Sequence, residues 1–519
     1  MKSIEKIKLK NFKRFKTLEL EFNQEINILI GDNESGKSSI LSAINLVLSG
    51  SVNKIESVGL ESLFNSEVIN NFLKSDKKIE ELPTLTIEVY LNEQNNEELN
   101  GNNNSDKKMC DGLKLECIPN DLLSKEIKEI LQQPETIFPF EYYTIRFTTF
   151  QGDGFTGYRR YVKHLLIDNS QVSSEYAIKE YVKDMYNSYT DGVEKNKHQN
   201  EYRKHKEGFK TNILKELNDR VETYNFSLKN NSKANLETDL TLCEDEISID
   251  NKGKGKQVFI KTEFALKKKD KNLDFVLIEE PENHLSHVKM RQLINKIKES
   301  TEKQLFISTH SNMISSRLDL RKSILLNKNG EAPIKLKDLP EDTAKFFIKA
   351  PDNNILDFIL SEKVILVEGD AEYMLMEAFF RKISNSELSD SGVHVISVDG
   401  TSFKRYLDIA RLLKIKTAVI RDNDGDHQAK CVDAFSAYNV SEIKIFGDKD
   451  NARSTFEICV YKDNTSICDG LFSAGRKTLT VQEYMLANKA DVAYELLDKK
   501  GKDLNVPGYI KEAIEWIKG

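Results

Sequence analysis

The chain has 519 residues, 39% hydrophobic and 31% charged, with a formal net charge of −7; this is a soluble globular composition with room for more than one domain, and its acidic balance excludes a protein that coats nucleic acid through bulk charge alone, though not one with a local basic groove. No apolar run reaches the roughly 18 residues of a membrane helix, and the N-terminal MKSIEKIKLKNFKRF has no apolar signal core, so a cytoplasmic protein without a membrane partner is expected. Six cysteines without CxxC spacing predict free thiols rather than a disulfide framework or a zinc site.

In chain order, the first 50 residues read as strand, strand, glycine loop and helix. The apolar run Ile26–Ile30 ends in Gly31, and Lys37–Leu48 carries helical apolar spacing that stops near Gly50. Strands are expected at 83–91 and 112–119. The polar tract between them, NEQNNEELNGNNNSDKK, is expected to be a surface loop. From about 170 to 235 the sequence is helical and highly charged, which predicts a projecting helical insertion. Residues 273–310 return to strand, loop, helix, strand. The stretch 329–358 carries three of the nine prolines, and a linker is expected at 346–360. A second α/β unit then spans 361–519, with strands VILVEG, VHVISVDG and KTAVIRDND.

Gly31-Asp-Asn-Glu-Ser-Gly-Lys37-Ser38 fits the phosphate-binding pattern GxxxxGK[ST], and it lies between a strand and a helix, as that chemistry requires. Glycines admit backbone amides to the phosphates, and the helix N-terminus favours the anion. Asn33, Gly36, Lys37, Ser38 and Ser39 are the candidate ATP-binding residues, with Lys37 on the β/γ-phosphates and Ser38 on magnesium. The strand in FVLIEEPENHLSH (Phe275–His287) ends in two carboxylates: Glu279 suits the magnesium shell, and Glu280 suits the base that orients water. LFISTHS (Leu305–Ser311) ends near His310, a candidate γ-phosphate sensor.

In the second unit, Glu368-Gly369 ends one strand and opens a helix carrying Glu372. Asp422 and Asp424 alternate at the end of another strand, so both carboxylates can face one side. Oxygen ligands of this kind suit Mg²⁺ or Mn²⁺ and phosphoryl chemistry. Asp426 is an additional carboxylate nearby.

The first set of motifs resembles the ABC ATPases of the SMC-like kind. That resemblance implies an ATPase domain over 1–345, and a signature loop at Gly253, Gly255 and Gln257 that caps ATP bound by a second copy. No serine immediately precedes these glycines, which departs from the LSGGQ pattern. The second set resembles the TOPRIM domain. In this order the two resemble the OLD (overcoming lysogenization defect) family. That resemblance implies an α/β fold of both domains and an ATP-dependent, metal-dependent DNA endonuclease of anti-phage defence, as in Gabija or retron systems. It further implies that Glu368, Asp422 and Asp424 hold one metal, that Glu372 and Glu457 help hold a second, and that Lys489 lies near the scissile phosphate. The implied partners are DNA, a second copy, and a defence-system protein or retron nucleic acid. Competing readings are an SMC-like DNA clamp without cleavage, a transporter ATPase, and a TOPRIM primase or topoisomerase. The cysteine spacing gives no zinc module to a primase, and no tyrosine is singled out for a topoisomerase.

Overall fold

The computed structural model describes residues 1–133, 135–157, 161–169, 175–221, 223–231, 235–266, 273–300, 302–327, 332–350, 354–398, 400, 402–474 and 478–519. The chain forms two compact units, Met1–His310 with Lys322–Pro333, and Ser311–Arg321 with Ile334–Gly519.

In the first unit, β1 (Ile4–Phe12), β2 (Phe15–Glu21), β4 (Leu85–Leu91), β5 (Cys110–Pro119) and β6 (Tyr143–Thr149) form an antiparallel sheet in the order β2-β1-β4-β5-β6. Beside it lies a parallel sheet of β3 (Ile26–Ile30), β7 (His164–Asp168), β8 (Phe275–Glu279), β9 (Gln304–Ser308) and β10 (Ser323–Leu325), in the order β10-β3-β9-β8-β7. Its central strands are buried along their whole length and mostly apolar: every residue of INILI and QLFIS is buried. That is the pattern of parallel strands covered on both faces. Helix α1 (Lys37–Ser49) packs against both sheets and buries Ile40, Leu41, Ile44 and Val47 in their common core.

The helical insertion is present and has two characters. Helix α2 (Glu175–Tyr189) packs on β7 and buries Ile178, Tyr181, Val182 and Met185. Helix α3 (Gly192–Asn212) buries no residue; it starts on a capping box in which Asp191 and Glu194 satisfy each other's backbone amides. The expected start of the insertion, at 170, falls outside the described residues. The unit continues with α4 (Lys254–Leu266) and α5 (His287–Glu299).

The polar tract after β4 is not a freely solvated loop. Leu99 and Asn104 are buried, Asn104 Nδ2 donates to Lys108 O at 2.7 Å, and Asp106 forms ion pairs with Lys6 and Lys8 of β1. Side-chain amides and carboxylates supply the partners that an apolar segment would lack, so the tract folds back on the sheet.

In the second unit, β11 (Lys363–Val367), β12 (Val393–Ser397), β13 (Lys416–Ile420) and β14 (Ile443–Phe446) form a four-stranded parallel sheet in the order β12-β11-β13-β14. Helices α6 (Asp370–Ser384), α7 (Phe456–Asp463), α8 (Lys489–Lys500) and α9 (Gly508–Lys518) contribute to its core. This unit begins earlier than the sequence reading placed it. The expected linker at 346–360 contains a helical turn, Ile355–Ile359, with Ile355, Leu356, Phe358 and Ile359 buried. Phe347 and Phe358 both pack edge-on against Tyr406. Pro351 lies outside the described residues, and the apolar residues after it fix the segment to the core.

Among the described residues no helix is long and apolar enough to cross a membrane. The six cysteines are free.

Candidate functional site

The ends of β3, β8 and β9 lie side by side in the parallel sheet, which brings the first site together. The loop after β3 enters α1 through Gly36, whose φ of 102° is left-handed and whose position a Cβ would share with the Phe15 ring at 2.4 Å. Only glycine meets both demands. Lys37 is buried and its ammonium donates to the carbonyls of Gly31 (2.7 Å) and Asp32 (2.8 Å). Burial pushes its pKa down to about 8, against the opposing pull of Glu280, Asp32, Glu282 and Glu279. The Ser38 hydroxyl lies near the Glu279 carboxylate and acts to lower its pKa. Burial raises the pKa of Glu279, and the neighbouring charges of Asp168 and Glu280 add to it. Asn33 is exposed on the loop, Ser38 is exposed in the first turn of α1, and Ser39 is half-buried.

Glu280 has a left-handed backbone (φ 46°), its amide donates to Ser308 O at 2.9 Å, and its carboxylate accepts from Asn283 Nδ2 at 2.6 Å. His310 follows β9; burial, then the Lys37 charge, holds its pKa below the usual histidine value. Thus Lys37, Ser38, Glu279, Glu280 and His310 come together as the motifs predict. One participant was not singled out: Glu282, whose Oε1 accepts from Thr309 Oγ1 (2.8 Å) and from the His310 amide (2.7 Å). A third acid close behind Glu279 and Glu280 was the available signal.

The signature segment opens α4 rather than forming a free loop. Gly253 precedes the helix and Gly255 lies in its first turn, where a Cβ would stand 2.2 Å from His284 O. Gln257 is buried, and its amide donates to Lys252 O at 2.7 Å. Gly255 therefore permits close packing on the segment after β8, while a Cβ at Gly253 would meet nothing within 4 Å, and Gln257 braces the start of its own helix.

The second site lies at the C-terminal ends of β11 and β13. Glu368 follows β11 and is half-buried; Glu372, in the first turn of α6, is buried. Asp422 is buried and its Oδ1 accepts from the Phe456 amide at 2.7 Å. Glu457, at the start of α7, is 4% exposed and pairs with Lys489 at 3.0 Å, while its second oxygen is buried without a hydrogen-bond partner. Burial raises the pKa of Asp422 to about 8, and the charges of Glu372, Glu457 and Glu368 add to it. Burial raises Glu372 to about 7, with Glu457 and Glu368 again adding. Glu368 is raised mainly by burial, against the pull of Arg421. Burial acts against the Lys489 charge, but Glu457, Asp422 and Glu372 more than offset it.

Asp424 is turned elsewhere. Its backbone is left-handed (φ 48°), and its half-exposed carboxylate pairs with Lys430 at 3.2 Å and Arg421 at 3.9 Å. Asp426 is exposed and accepts from the Ala429 amide at 3.0 Å. Between these acids, the buried Asn423 donates to Asp448 O (2.7 Å) and Asp450 O (3.1 Å), fixing the turn; its role depends on backbone remote in sequence.

The donor set suits a hard divalent cation: clustered carboxylates, two of them with pKa values raised first by burial and then by neighbouring acids, and an orphaned buried oxygen on Glu457. Among the described residues no three His, Cys, Asp or Glu side chains are arranged to hold an ion as they stand. Glu457 is tied to Lys489, Asp422 to the Phe456 amide, and Asp424 to Lys430.

These arrangements define the class: an α/β protein in which a P-loop ATPase domain with a helical insertion precedes a TOPRIM domain. Residues 6–348, well over half of the chain, match the family described as "AAA domain", and the chain belongs to it. Residues 359–424 match "Overcoming lysogenization defect protein-like, TOPRIM domain", so the OLD resemblance read from the motifs holds. Glu457 and Lys489 lie beyond that match. The chain is 29% identical over 180 residues to the Old nuclease of Escherichia phage P2, an alignment covering 32% of this chain and 30% of that relative. Among solved structures it is similar to the SMC head domain from Thermotoga maritima (14% identity, 64% of this chain, 98% of that one, TM-score 0.29). It is also similar to the C-terminal region of the Burkholderia pseudomallei OLD protein (21% identity, 31% of this chain, 98% of that one, TM-score 0.23).

Proposed function

We propose that this chain is an ATP-binding, divalent-metal-dependent DNA endonuclease that works as a homodimer or higher homo-oligomer in the cytoplasm, in bacterial anti-phage defence. The observation that carries the nuclease reading is the buried cluster of Glu372, Asp422 and Glu457 with half-buried Glu368, faced by Lys489 in a TOPRIM domain. The named activity of the phage P2 relative supports it. Glu368, Asp422 and Asp424 would hold one cation, and Glu372 with Glu457 a second; Mg²⁺ or Mn²⁺ there supplies Lewis-acid charge for phosphodiester hydrolysis. Asp424 reaches that role only by leaving Lys430. Lys489, released from Glu457, offers a positive charge to the scissile phosphate. In the ATPase domain Lys37 binds phosphate, Ser38 and Glu279 would hold the nucleotide's magnesium, and Glu280 orients the attacking water.

The test is plasmid nicking by the purified chain with and without Mn²⁺, Mg²⁺ and ATP. Cleavage that requires the metal supports the reading. Metal-independent cleavage, or none under any condition, contradicts it, and the latter favours an SMC-like clamp.

A further inference from the structure

The segment that carries Glu280 is joined to the strand end that carries His310 through one side chain. Glu282 Oε1 receives two hydrogen bonds, from Thr309 Oγ1 at 2.8 Å and from the His310 backbone amide at 2.7 Å. Its other oxygen is buried and has no hydrogen-bond partner. The carboxylate also lies close enough to Lys37 to act on its charge. Nothing in the local chain requires an acid here. Burying one costs free energy unless its hydrogen bonds are put to use. The bonds it makes go to the two residues that follow the neighbouring strand, and they fix the backbone from which the His310 ring projects.

We propose that Glu282 is a positioning residue for ATP hydrolysis: it sets His310 relative to Glu280, so that the sensor and the water-orienting base move as one unit. This rests on the ATPase reading above. Glu282 itself touches neither nucleotide nor water in this scheme. Its loss leaves the phosphate-binding loop intact, because the Lys37 ammonium is held by other partners, Gly31 O and Asp32 O.

The test compares Glu282→Ala, Glu282→Gln, His310→Ala and the double variant Glu282→Ala/His310→Ala in the full chain. ATP affinity is measured by equilibrium binding and kcat by phosphate release. Glu282→Ala is expected to keep ATP affinity within about threefold while kcat falls at least about tenfold, the scale on which small misplacements act. Glu282→Gln keeps the acceptor oxygen and should recover kcat to within about threefold of the unmutated chain. The double variant should be no slower than His310→Ala, because both changes remove one effect. Wild-type kcat in Glu282→Ala, or additive losses in the double variant, overturns the proposal. So does a Glu282→Gln chain that folds and binds ATP yet is as slow as Glu282→Ala. An unmutated chain that binds ATP and never hydrolyses it refutes the ATPase reading instead, and the proposal falls with it.

Discussion

Asp422 and Glu372 are two acids that the fold holds against their charged state. Their pKa values are raised to about 8 and about 7, first by burial and then by the charges of Glu457 and Glu368, with Glu372 adding to Asp422. A carboxyl whose folded pKa lies above its unfolded value stabilises the fold fully below the unfolded value, and that contribution is lost as pH rises through the folded one. Without added metal, the melting temperature of the chain should therefore fall as pH is raised from about 6 to about 9. A divalent cation needs the deprotonated form, so the rise in melting temperature on adding Mn²⁺ should be larger at high pH than at low pH. Calorimetry with and without Mn²⁺ across this range checks both; a metal increment independent of pH would contradict them. In the other domain, Lys37→Ala should abolish most ATP binding in an equilibrium assay. Glu280→Gln should keep binding but slow hydrolysis by about 10² or more.

At the scale of elements, loops at strand ends carry the chemistry, and remote backbone holds them in shape. Asn423 shows this most directly. Asn423→Ala removes its donors to Asp448 O and Asp450 O from a buried site, and should lower stability by about 1–3 kcal/mol in denaturant unfolding. The site's motif residues were legible in the sequence because fixed spacing after a strand determines where they stand: the loop to Lys37-Ser38, the pair Glu279-Glu280, His310, and Glu368 with Asp422. Asn423 and Glu282 were not legible, since their partners are carbonyls and amides brought near only by the folded chain. Asp424 was legible as an acid, but not as the partner of Lys430, because its direction is set by a left-handed backbone. The segment 346–360 reads as a linker because it follows a proline-bearing stretch, 329–358, yet Ile355, Leu356, Phe358 and Ile359 are buried in it. The asparagine-rich tract before β5 read as solvated because no apolar pattern announces a fold made of side-chain hydrogen bonds.

For the whole molecule, the proposal joins two phosphoryl-transfer sites that use separate residues. The signature segment is expected to meet ATP on a second copy, so the chain should run as at least a dimer in light scattering at micromolar concentration; a monomer with and without ATP would speak against that assembly. The central claim is that the carboxylate cluster cuts DNA independently of the ATPase chemistry, and plasmid nicking with Mn²⁺ by Asp422→Ala, with phosphate release measured on the same preparation, tests it most directly. The account predicts that nicking is lost while ATP hydrolysis persists. Nicking at the unmutated rate would contradict it.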